Sequence, residues 1–109
     1  MNLTAGQRAE HRRITGDLAR IGLVLPGSLF SAEISCGTRT CRCQGTPPAL
    51  HGPYWRWTRK VNGKTVTRRL TDDQQRDYQP LVDNARRLRA LVAELEALTL
   101  DVVGQDHRR

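Results

Sequence analysis

A chain of 109 residues with 38% hydrophobic and 5% aromatic content supports one modest domain with a small core, so a bound metal or an oligomer interface is a natural further source of stability. No apolar run approaches the ~20 residues that span a bilayer, and the first residues carry no signal-peptide apolar region, so the expectation is a cytoplasmic protein. The net charge of +7 is not spread evenly. Residues 1–33 are net +1 and residues 72–109 net −2, whereas residues 34–71 hold Arg39, Arg42, Arg56, Arg59, Lys60, Lys64, Arg68 and Arg69 and no acid. Charge gathered on one small segment is an electrostatic footprint for a polyanion.

In chain order, residues 4–22 predict a helix. Ile14, Leu18, Ile21 and Leu25 follow at helical spacing, Thr4 is the candidate N-cap, and Gly22 the candidate stop. Arg8, Arg12, Arg13 and Arg20 lie off this stripe and read as solvated surface. Pro26-Gly27 breaks the helix. Residues 28–35 alternate as a strand, with Phe30, Ala32 and Ile34 on one face.

Residues 36–53 form a loop without period, rich in Cys, Gly, Thr and Pro. Within it Cys36, Cys41 and Cys43, followed by His51, have the ligand types of a tetrahedral zinc site. Three cysteines are odd in number and cannot all pair as disulfides, so a metal is the better use of them in a reducing compartment. A loop this poor in apolar residues cannot order itself, and one structural zinc ion would supply the missing free energy. Arg39 and Arg42 would help offset the thiolate charge. Reduced buried thiols, a redox pair at Cys41 and Cys43, and a fourth ligand other than His51 are the alternatives.

Residues 54–70 read as a hairpin turning at Asn62-Gly63, a strong type I′ turn sequence. A two-residue turn sets the register: Val61 with Lys64, Arg59 with Val66, Trp57 with Arg68, Trp55 with Leu70. Alternation then puts Trp55, Trp57, Val61, Val66 and Leu70 on an apolar face, with Arg59, Lys64 and Arg68 at its margins. The opposite face collects Tyr54, Arg56, Thr58, Lys60, Thr65, Thr67 and Arg69.

Thr71 and Gln74 match a capping box, opening a helical region over residues 72–100 that Pro80 divides or kinks. Leu81, Leu88 and Leu95 recur every seven residues, and Leu91 widens the stripe. This helix is expected to pack on the sheet. The alternative is a coiled-coil homodimer or a partner interface through Leu81, Leu88, Leu91 and Leu95. Residues 104–109 read as a flexible tail. The fold class is therefore α+β in a single domain: an N-terminal helix, a three-stranded antiparallel sheet with a zinc loop, and a long C-terminal helix.

Cys36-Gly37, Cys41-Arg42-Cys43, His51-Gly52-Pro53-Tyr54 and Val61-Asn62-Gly63-Lys64-Thr65, with Gly27-Ser28-Leu29-Phe30 before them, resemble the pattern of an uncharacterised family of small bacterial and archaeal proteins. That family is commonly encoded near transposases, so the resemblance, over about residues 25–100, implies a mobile-element context rather than catalytic residues. The hairpin alone is similar to the small N-terminal sheet of tyrosine recombinases, which lies in the DNA major groove.

The leading functional expectation is binding of double-stranded DNA. Arg56, Lys60 and Arg69 with Thr58, Thr65 and Thr67 would face the duplex, and Arg39 and Arg42 the phosphates. This suits an accessory or regulatory factor of a transposase or recombinase. RNA binding is a second reading, through Tyr54, Trp55 and Trp57, though both tryptophans fall on the apolar face. A protein-interaction subunit acting through the leucine stripe is a third. An enzyme is not expected: no paired carboxylates or phosphate loop stand out, His11, His51 and His107 lie in unrelated segments, and a nuclease site or a Cys43–His51 thiol pair has nothing to orient it.

Overall fold

The computed structural model describes residues 1–107 and is α+β. Helix α1 spans Ala5–Ala19, strand β1 Ser28–Ile34, strand β2 His51–Val61, strand β3 Lys64–Leu70 and helix α2 Asp72–His107, with a short 3-10 turn at Arg42–Gln44. The strands form one antiparallel sheet in the order β1-β2-β3. The contacts divide the described residues into two compact units, one of residues 1–24 and 83–107, the other of residues 25–82.

In the first unit α1 begins with a full capping box. Thr4 Oγ1 accepts from the Gln7 amide at 3.1 Å and Gln7 Oε1 from the Thr4 amide at 2.9 Å, which satisfies two of the free donors at a helix start. The helix ends at Ala19, three residues before Gly22, because the Arg20 amide turns back to Asp17 O at 3.1 Å. Helix α2 runs antiparallel to it. Arg13 meets Glu94 at 3.3 Å, Arg87 meets Asp17 at 3.6 Å, and Asn84 Nδ2 donates to Leu23 O at 2.8 Å. Ile14, Ala85, Leu91 and Val102 are the buried apolar residues of this unit.

In the second unit the hairpin turns with Asn62 at φ 51° and Gly63 at φ 81°, and pairs in the register expected from a two-residue turn: Val61 with Lys64, Arg59 with Val66, Trp57 with Arg68, Trp55 with Leu70. Strand β1 joins on the other side of β2, with Phe30 opposite Arg56 and Ala32 opposite Tyr54. The turn before β1 runs hard against β2. A Cβ on Gly27, at φ 104°, would lie 2.8 Å from Trp57 Nε1, and that indole N–H donates to Pro26 O at 2.8 Å. Leu70 and Val82 are buried in this unit, while Val66 keeps 43% of its surface exposed.

Helix α2 differs from its expected form. Thr71 and Gln74 make the capping box (3.1 and 2.9 Å), but the helix passes through Pro80 without a break and continues to His107. Proline costs a helix interior one hydrogen bond and a steric clash. Here Val82 and Ala85 are buried just beyond Pro80. Gly104–His107 are helical, not a flexible tail; residues 108 and 109 lie outside the described residues.

Candidate metal centre and cationic sheet face

The cysteine loop is folded by short local bonds. The Cys41 amide donates to Thr38 O and the Gln44 amide to Cys41 O, at 3.1 and 3.0 Å, while the Gly45 and Ala49 amides both reach Arg42 O at 3.1 Å. These turns bring Cys36, Cys41 and Cys43 beside His51, with one donor atom from each within 4.8 Å of all the others. Cys36 Sγ and Cys43 Sγ are 3.5 Å apart, and Cys41 Sγ and His51 Nε2 3.1 Å. Donors about 2.3 Å from a tetrahedral ion would lie about 3.7 Å from one another, so the four fit a metal of that kind. None of the three thiols is in a disulfide.

His51 is not a loop residue. It opens β2, three residues earlier than the hairpin was expected to start, and pairs with Ile34. The register shifts between Ala32 and Ile34, where Gly52 stands at φ 109°. A Cβ there would come within 2.8 Å of the Tyr54 amide and 3.1 Å of Ala32 O. Only glycine fits this bulge, and the bulge re-aims His51 toward the thiols. Gln44, a neighbour that the sequence does not single out, donates from Nε2 to Cys36 O at 2.5 Å and to Cys43 Sγ at 3.5 Å.

The thiols differ electrostatically. A hydrogen bond from the Thr38 backbone, with further ones from His51, Cys43 and Cys41, pulls the Cys36 thiol down to about 6. The Cys43 backbone also pulls Cys41 down, but hydrogen bonds with the Cys43 and Cys36 side chains, burial and the charge on Cys36 outweigh it, so Cys41 is raised. A metal binds thiolates, so a thiol already held low, as Cys36 is, suits a donor set of this kind.

The sheet's two faces have different chemistry. Trp55, Trp57, Val61, Val66 and Leu70 share one face with Leu29, and Arg59 covers Trp57 at 4.9 Å from the ring centroid. The other face carries Arg56, Thr58, Lys60, Thr65, Thr67 and Arg69 as expected, but β1 adds Ser28, Phe30 and Ala32 to it. Phe30 keeps the phase of Ala32 that alternation predicts, and pairing with β2 turns both to the cationic side. Thr58 and Thr67 hydroxyls are 3.3 Å apart, and the Arg69 guanidinium lies 3.6 Å from the Tyr54 ring centroid. Arg39 and Arg42 are exposed on the cysteine loop.

Among the described residues, none of the eight cations of residues 34–71 makes an ion pair. The arginines that do are Arg13, Arg20, Arg76, Arg86 and Arg87, all on or at the end of the helices. The proposed interface leucines separate. Leu91 is buried by its own chain at 3% exposure and cannot serve a partner, whereas Leu81, Leu88 and Leu95 are half-buried. Leu91 is buried in the compact unit that α1 and this part of α2 share, as Ile14 is.

No helix among the described residues is long and apolar enough to cross a membrane. Residues 6–79 match the family model "Domain of unknown function (DUF6788)", and the chain belongs to that family. The chain matches no curated protein and no solved structure.

Proposed function

We propose that the protein binds double-stranded DNA through the cationic face of its sheet, with a structural zinc ion on Cys36, Cys41, Cys43 and His51 holding the loop beside it. The observation that carries this reading is the set of unpaired cations. A merely solvated basic surface mixes signs and pairs its arginines, as the helices of this chain do; residues 34–71 do neither. Arg56, Lys60 and Arg69 stand among threonines on a twisted antiparallel sheet, an element that the major groove admits. Arg39 and Arg42 would add phosphate contacts. The resemblance to small proteins encoded near transposases favours an accessory or regulatory role in a mobile element, in the cytoplasm.

The test is fluorescence anisotropy of a labelled random-sequence duplex across salt concentrations. Five neutralised phosphates give a slope of log K against log salt near −4.5. Arg56→Ala with Arg69→Ala brings it to about −2.7. A shallow slope, or a double variant that binds as the parent does, overturns the reading.

A second reading, a protein-interaction subunit that docks on a transposase, recombinase or second copy, draws support from α2. Leu100 is 71% and Val92 41% exposed there, and Leu95 and Leu100 line one shallow surface groove. No duplex binding together with a concentration-dependent dimer or a stable complex would favour it.

A further inference from the structure

The DNA reading leaves one residue of the cationic face unexplained. Phe30 sits in the middle of β1, 40% exposed, on a face otherwise made of arginine, lysine, threonine, serine, alanine and one tyrosine. A single exposed phenylalanine is ordinary on a protein surface; its position here is not. Phe30 pairs with Arg56, and Arg56 with Arg69, so the three form one row across the sheet. No acid lies in that row or in the rows beside it.

The row has the chemistry of major-groove readout. Arginine bonds guanine O6 and N7 in pairs, and an apolar side chain meets the methyl group that thymine projects into the groove. Side chains directly opposite on neighbouring strands have Cβ atoms about 5 Å apart. Stacked bases are about 3.4 Å apart along a strand, so two such side chains can address adjacent base pairs. We infer, resting on the DNA reading above, that Phe30 contacts the 5-methyl group of a pyrimidine, thymine or 5-methylcytosine, next to a guanine held by Arg56.

Stacking on single-stranded bases fits the face less well. Readers of single strands place successive bases on several free rings. Here the Arg69 guanidinium already covers Tyr54, and Trp55 and Trp57 belong to the opposite face. Phe30 is the one ring left on this side, which suits a methyl contact in a duplex.

The experiment compares four duplexes by anisotropy at one salt concentration. They are alternating TG·CA, the same duplex with uracil for every thymine, alternating CG, and that duplex with 5-methylcytosine. Burying one methyl group corresponds to about fourfold in affinity. The protein is expected to bind the thymine and 5-methylcytosine duplexes about fourfold tighter than their unmethylated counterparts. Preference in one arm alone would still support the methyl contact and identify its source. Phe30→Ala is expected to bind each methylated duplex and its unmethylated counterpart alike with its salt slope unchanged, and Phe30→Leu to keep part of the preference.

Equal binding of methylated and unmethylated duplexes with a steep salt dependence would overturn this inference and leave the DNA reading standing. A preference that survives in Phe30→Ala would overturn it too. No binding to any duplex would remove both.

Discussion

The guanidinium of Arg69 lies over the ring of Tyr54, 3.6 Å from its centroid. The two residues stand on neighbouring strands, on the same face, one step apart along the pleat. A cation held over an aromatic ring at an exposed site gains about 0.5–1 kcal/mol, enough to restrict a long side chain without removing its charge. Arg69 is thus presented on the cationic face with part of its conformational freedom already lost.

If that stacking positions Arg69 for DNA, removing the ring should cost affinity without changing charge. Tyr54→Leu is expected to weaken duplex binding about two- to fivefold, and Tyr54→Phe to leave it near the parent value. Anisotropy titrations of the two variants decide this. Equal binding by Tyr54→Leu would mean that the ring does nothing for Arg69.

Protein purified under reducing conditions without chelator is expected to carry one zinc ion per chain by elemental analysis. Cys43→Ser should cost the most, because Cys43 is the buried ligand, at 3% exposure. Its metal content should fall well below one per chain and its melting temperature with it. Chelation of the parent protein should reproduce the loss, since the binding free energy of a structural metal is folding free energy. Full stability with no metal would remove the centre.

Cys36 should be the most reactive thiol once metal is removed. Its folded value lies near 6, below the ordinary thiol value of 9.0. The native state therefore binds fewer protons than the unfolded state between these values. The resulting stabilisation is present above pH 9 and is lost as pH falls through 6. Alkylation of metal-free protein, mapped by mass spectrometry, is expected to label Cys36 first at pH 7, with a half-maximal rate near pH 6. Cys41, which is raised, should follow only at higher pH. Preferential labelling of Cys41 would reverse the assignment.

The leucines of α2 should divide by burial. Leu91→Ala removes a side chain that is 3% exposed and is expected to cost about 2–5 kcal/mol in chemical denaturation. Leu100→Ser, at a position 71% exposed, should leave the isolated protein's stability within about 0.5 kcal/mol. A large loss from Leu100→Ser that depends on protein concentration would show that the exposed stripe is a dimer interface.

Much of this architecture is legible in the order of the residues because its causes are local. Asn62-Gly63 demands positive φ at two successive positions, and that sets the hairpin register and sorts Arg56 from Trp57. Thr4 with Gln7, and Thr71 with Gln74, mark the helix starts because each pair satisfies free amides within one turn. The residue types and spacing of Cys36, Cys41, Cys43 and His51 single out the four side chains that come together. None of these needs knowledge of what lies across the fold.

The tertiary structure decided the rest, because it depends on partners distant in sequence. Alternation put Phe30 in phase with Ala32, but only the pairing of β1 with β2 turned it to the cationic side beside Arg56. Leu91 widens the leucine stripe and so is a candidate for a partner from spacing alone, but it is buried in the unit that α1 shares. The bulge at Gly52 drew His51 out of the loop and into β2. By local rules Pro80 either divides or kinks the helical region; one continuous α2 forms through it, with Val82 and Ala85 buried just beyond. Local propensity is worth a few kcal/mol at most, and packing outweighs it where the two disagree.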